Sequence, residues 1–191
     1  RESIGLGRSI ANEIATWTGL LAFGGLVAHS DAERAVELAE ELVDTATSAG
    51  LLWHEATGTR LKAHALSRAG RLSEASESYA HAIEMNGVGD FGELLWYTVF
   101  NVVEHLSRID DAEGAAVALG AFSSAPAAPS DDLIARAADR LRARLVDQLG
   151  SMDRELASEE RGASMRLAEL LHFLHGRLSE HAASVAAPRA E

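Results

Sequence analysis

The 191-residue sequence contains no cysteine, which excludes disulfides and thiolate metal sites outright. It has little proline: of three residues, Pro126 and Pro129 fall together within "SSAPAAPSDD", so the rest of the chain has few breakers. Lys62 is the only lysine among 17 basic residues, a bias that points to GC-rich, actinobacterial coding. Cationic charge is scarce too, and the formal net charge of −12 disfavours nucleic acid and anionic membranes, whose binding needs clustered cations. No apolar run approaches the roughly 20 residues that span a bilayer, and no basic, apolar and cleavable leader is present. A cysteine-free acidic chain of this kind fits the cytoplasm. Starting at Arg1, it reads as a piece of a longer protein.

What is abundant is alanine, within a composition that is 47% hydrophobic. Alanine loses no side-chain entropy in a helix, and β-branched residues are sparse, so an all-α fold is expected. Length predicts one domain, with room for an appendage. The segments "AHSDAERAVELAEEL", "RAGRLSEASESYAHA" and "SRIDDAEGAAVALGAF" align without gaps, placing Ala35, Ala75 and Ala115 at successive intervals of 40 residues. Ser30-x-x-Glu33 and Asp110-x-x-Glu113 have the form of capping boxes at one repeat position, with Gly70 there in the middle copy. After Pro129, Ser130 is expected to cap a helix that ends at Gly150 and buries Leu133, Ala137, Leu141 and Leu145. A short polar helix follows. A last helix from about Met165 to Leu178 should bury Leu167, Leu170, Leu171 and Leu174.

The middle copy, with Gly70, Ala75, Tyr79 and Ala82 preceded by Ala63 and Leu66, resembles a tetratricopeptide repeat. Small residues allow close helix approach, and the aromatic fills the gap between pairs. The first copy matches with Phe23, Leu26, Ala35, Ala39 and Leu42, and the third with Val103, Leu106, Ala115, Leu119 and Phe122. A 40-residue period, against the usual 34 or so, predicts longer helices. The expected fold is therefore an α-solenoid of three antiparallel helix pairs over residues 1–125. Three C-terminal capping helices over 126–180 should close it, followed by a linker or disordered tail over 181–191. The positions that need close packing are Ala35, Ala63, Ala75, Tyr79, Ala82, Ala115 and Leu119.

Further along, "EGAAVALGAF", the Leu149–Gly150 helix end and "GASMRLAEL" are similar to the last part of the helical repeat domain in large ATP-dependent regulators of the LuxR type. These belong to the STAND class; related domains occur in Streptomyces antibiotic regulatory proteins and ATPase-fused nucleotide cyclases. The resemblance implies a sensor arm that holds a ligand or partner and restrains an ATPase module. Lys62 lacks the glycine-rich loop of a phosphate-binding site, so no ATPase residue carries over.

Motifs for other chemistry are sparse. Gly87-Val-Gly89-Asp-Phe-Gly92 has dinucleotide-fingerprint spacing but follows a helix rather than a strand, so it reads as a turn between repeats. Glu169, His172 and His175 share a helix without a second metal-ligand motif, so they read as an exposed face. There is no catalytic triad signature, no metal and no cofactor motif. The sharper feature is a stripe. In tetratricopeptide arrays the first helix of each pair lines the concave side, here with Thr57, Arg60, His64 and Arg68 from the second pair. The third pair adds Tyr97, Phe100, Glu104 and Arg108, and the first adds Trp17, Leu20 and Gly24. Such a stripe suits capture of carboxylate or phosphate beside apolar area. The expectation is a non-catalytic regulatory domain that binds a protein or peptide, a small anionic effector, or another domain of its parent chain. The alternatives are a structural scaffold that forms a homodimer and an enzyme with an unrecognised helical site.

Overall fold

A computed structural model describes residues 30–88 and 92–186. The described residues form eight helices and no strand, as the alanine-rich composition leads one to expect. They are α1 Ala32–Ser48, α2 Leu52–Arg68, α3 Leu72–Val88, α4 Glu93–Arg108, α5 Ala112–Ser124, α6 Asp132–Leu149, α7 Met152–Ala163 and α8 Leu167–Ala186. The expected first helix of the first pair, with Trp17, Leu20, Phe23, Gly24 and Leu26, lies outside the described residues, as do Gly89–Phe91 and 187–191.

Consecutive helices from α1 to α5 pack on one another, consistent with a helical repeat. Helices α1, α2 and α3 are 17 residues each, the length a 40-residue period calls for. Helix α1 forms because Ala35, Leu38, Ala39, Leu42 and Ala46 recur at helical spacing and bury one face. Its partner α2 approaches so closely that a Cβ on Gly58 would lie 2.9 Å from a Val43 methyl. The packing alanines Ala35, Ala63, Ala75, Ala82 and Ala115 are buried, together with Tyr79 and Leu119. Gly87 lies in α3 and Gly92 opens α4 at φ 46°, so the glycine-rich segment joins two helices.

The caps sit one residue later than the sequence motifs suggest. Asp31 rather than Ser30 caps α1 and accepts from Arg34 N at 3.1 Å. Asp111 rather than Asp110 caps α5 and accepts from Gly114 N at 3.0 Å. Asp131 rather than Ser130 caps α6 and accepts from Leu133 N and Ile134 N, both at 2.9 Å. For α5 the reason lies in the backbone: Asp110 adopts φ 60°, the left-handed conformation held 40 residues away on either side by Gly70 and Gly150. Aspartate tolerates this region better than most residues. The following residue therefore becomes the cap.

That register runs beyond the three expected copies. Helices α1, α3, α5 and α7 begin at Ala32, Leu72, Ala112 and Met152, each 40 residues after the last. Helices α6 and α7 thus occupy the position of a fourth pair, where capping helices were expected. The fourth copy packs differently because Glu155 stands where Ala35, Ala75 and Ala115 allow close approach. Helix α7 instead leans on α5, where Gly120 and Gly162 let the backbones nearly touch. A Cβ at Gly162 would lie 1.8 Å from Val117 O, and one at Gly120 2.0 Å from Glu159 O.

Helix α8 folds back on α3 and α5. It continues to Ala186 rather than stopping at Leu178, because Leu178 and Ala182 are buried and His181 bonds Ser76 of α3. Leu170 and Leu174 are buried as expected, but Leu167 is exposed and Leu171 half-buried. Arg177 of α8 pairs with both oxygens of Asp111, so the residue that caps α5 also fastens α8. The main core joins Tyr79, Ile83, Val99, Leu106, Leu119, Phe122, Leu145 and Leu174.

The α5–α7 crossing predicts a sharp contrast between glycines. Gly162→Ala should destabilise the chain by about 1–3 kcal/mol through overpacking. Gly176→Ala, in α8 with nothing within 4 Å of its Cβ, should stabilise it by about 0.5–1 kcal/mol. Urea midpoints of the two variants against wild type check both signs.

Candidate functional site

Helices α2, α4 and α6 run side by side in the same direction. At their C-terminal ends Arg68 Nη1 lies 3.7 Å from Glu104 Oε1, and Gln148 Nε2 donates to Ser107 O at 2.9 Å. At the other end the charge of Asp131 acts on Tyr97, and Tyr97 acts on Arg60. The three helices enclose a half-open groove of about 480 Å³. Five sequence-expected residues line it: His64, Arg68, Tyr97, Phe100 and Glu104. Arg60 and Arg108 flank it, and Trp17 and Leu20 lie outside the described residues.

The third wall is α6, which sequence reasoning missed. It supplies Leu133, Ile134, Ala137, Arg140, Leu141 and Arg144. The signal was present in the spacing: Arg60, Phe100 and Arg140 are 40 residues apart, as are His64, Glu104 and Arg144. Leu133, expected in the core, is 74% exposed at the groove mouth. In the first turn of α6 it is Ile134 that packs against the core, and full burial on α6 begins only at Ala138.

Charge in the groove is unevenly satisfied. Glu104 takes both Arg68 and Arg108, the latter at 3.0 Å. Burial pushes the Glu104 carboxyl up, but the Arg108 hydrogen bond and the charges of His64, Arg108 and Arg68 outweigh it, leaving the group below its ordinary value. Arg140 and Arg144 are exposed and form no ion pair among the described residues. Arg60 does not pair with Glu104. Its Nε is buried without a hydrogen-bond partner, as are Arg108 Nε and the Tyr79 hydroxyl. Burial lowers the Arg60 pKa from its ordinary value, against the pull of Tyr79 and Tyr97, and burial raises that of Tyr79. Phe100 turns one face to Phe122, ring centres 5.0 Å apart, so it belongs both to core and groove.

A second polar set lies in the interior. Ser67 Oγ meets His105 Nδ1 at 3.0 Å, His105 Nε2 meets Ser76 Oγ at 2.7 Å, and Ser76 Oγ meets His181 Nδ1 at 2.9 Å. This chain links α2, α4, α3 and α8. Ser76 is a serine beside a histidine, but it is fully buried and held by both imidazoles, without access for a substrate. The expected histidine face on α8 is divided. Glu169 pairs with Arg166 at 2.6 Å, His175 turns to Glu84 of α3 at 2.9 Å, and His172 is exposed. Among the described residues no cluster of three His, Asp or Glu could hold a metal, and no helix is long and apolar enough to cross a membrane. In comparisons with known proteins, the chain matches no family model, no curated protein and no solved structure.

Two buried groups give opposite pH dependence. Burial, with the charges of His181 and Arg108, pushes His105 down to about 3. The folded state thus excludes a proton, and stability is lost as pH falls from the unfolded value near 6.5 towards 3. Burial, a hydrogen bond to Glu159 and its charge push Glu155 up to about 7, so its contribution is lost as pH rises from 4.5 through 7. The two slopes, each at most about 1.4 kcal/mol per pH unit, offset one another between about pH 5 and 6. Over that window His105→Gln should make stability fall with rising pH, and Glu155→Gln should make it rise. Urea midpoints measured across the window read the sign directly.

Proposed function

We propose that this chain is a non-catalytic binding module of the regulatory or sensor kind, with the groove between α2, α4 and α6 as its working surface. The groove holds an anionic group that belongs to a peptide, a small effector, or a neighbouring domain of a larger cytoplasmic signalling or transcriptional regulator. The observation that carries this reading is the pair Arg140 and Arg144. In a chain of net charge −12 they face the groove with no ion pair among the described residues, while the Glu104 carboxylate opposite is already shared by Arg68 and Arg108.

Stability gives little reason for this arrangement. Surface ion pairs contribute about 0–1 kcal/mol, and unpaired surface cations less. Arg68 and Arg108 sit in the last turns of α2 and α4, where the helix dipole favours cations. Arg140 and Arg144 are mid-helix and have no such reason. Arginine presents a planar fork that matches carboxylate or phosphate. The resemblance to the sensor arms of LuxR-type regulators agrees with this reading, and the regulatory role rests on that resemblance.

The test uses a fluorescent oligoglutamate peptide and anisotropy. The wild-type chain should bind it with an affinity that weakens as salt rises, because the contacts are solvent-accessible. Arg140→Glu/Arg144→Glu should weaken binding by about tenfold or more, as expected for losing one or two charge-assisted contacts. Equal affinity in the variant would overturn the assignment of the groove.

A further inference from the structure

The groove is graded along its length, and the gradient follows from the shared direction of its three helices. Asp131 lies by Tyr97 and Gln148 by Ser107, so the start of α6 faces the start of α4 and their ends meet likewise. Near the start the lining is apolar, with Tyr97, Leu133 and Ile134, and Phe100 stands midway, 40 residues before Arg140. Towards the end it is cationic, with Arg68 on one wall and Arg140 and Arg144 on the other. Leu133 and Arg144 stand about 16 Å apart at the α-helical rise.

We infer that the groove binds a small single-headed amphipathic anion, an acyl or aryl carboxylate, with its head between the α6 arginines and Arg68 and its apolar body along Tyr97 and Leu133. This rests on the binding role proposed above and names its ligand class. Among the described residues Arg140 and Arg144 line the groove without an ion pair, and the Glu104 carboxylate opposite is already bonded by Arg108, so an incoming carboxylate meets positive charge on the α6 wall. Leu133, at 74% exposed, is the most exposed of the large apolar side chains described, and it stands at the groove mouth. A ligand chain laid against Leu133, Tyr97 and the free face of Phe100 would remove that surface from water. The volume of about 480 Å³ lies in the range of small-molecule sites. A uniformly polyanionic occupant would leave the apolar half unused, and a wholly apolar one would strand the arginines.

Isothermal titration of the whole chain with octanoate, acetate and octyltrimethylammonium separates the contributions of head and body. Octanoate should bind, acetate at least about tenfold more weakly, and the cation-headed amphiphile not measurably. Leu133→Ser, at an exposed position and with no charge added, should weaken octanoate by about tenfold or more. Arg140→Glu/Arg144→Glu should weaken both ligands. Acetate equal to octanoate, binding of the cation-headed probe, or an unchanged octanoate affinity in Leu133→Ser would each overturn the inference. Should octanoate fail to bind while oligoglutamate binds through the arginines, the groove stands and this ligand class falls. Failure of both ligands rejects both.

Discussion

The left-handed backbone turn that recurs at Gly70, Asp110 and Gly150 sets the geometry on which the groove depends. Each turn reverses the chain at the same point of a 40-residue unit, so the next helix starts at Leu72, Ala112 or Met152. Equal units bring α2, α4 and α6 out pointing the same way. Helix ends then meet at similar points of successive units, as Arg68 meets Glu104 and Ser107 meets Gln148. The stripe Arg60–His64–Arg68 is local helical spacing. Its alignment with Phe100, Glu104, Arg140 and Arg144 comes from the turn.

Burial explains why the fourth unit departs from the others. Alanine at positions 35, 75 and 115 lets neighbouring helices approach, whereas Glu155 holds α7 away from that arrangement. The cost of burying Glu155 is reduced by protonation and by its bond to Glu159, which Arg142 also holds at 2.8 Å. Contact is recovered through Gly120 and Gly162, where two backbones meet without side chains between them. Helix α8 then covers α3 and α5 and is fastened by Arg177 to Asp111 and by His181 to Ser76. Among the described residues, the groove between α2, α4 and α6 is left uncovered.

The repeat was legible in the sequence because its signals are local and periodic. Alanine spacing located the close contacts, and the period predicted long helices. Caps were misplaced by one residue because Asp110 and Asp111 are both good capping residues, and only the backbone conformation of Asp110 decides between them. The fourth copy was hidden because its diagnostic alanine is Glu155 and its turn residue Gly150 also reads as an ordinary helix end. With it, Arg140 and Arg144 were hidden as part of the groove, although their spacing from Arg60 and His64 is the same 40. Leu133 was placed in the core by helical periodicity, which identifies a stripe but not what faces it. The burial of Ser76 between two histidines from α4 and α8 had no local signature at all.

The most direct measurement is an arginine footprint with a dicarbonyl reagent, read by mass spectrometry, with oligoglutamate absent and then saturating. Arg140 and Arg144 on α6 should be protected, with unchanged labelling of Arg154 and Arg166, which lie on α7 and just before α8. Uniform protection of all four, or none at Arg140 and Arg144, would contradict the groove as the binding surface.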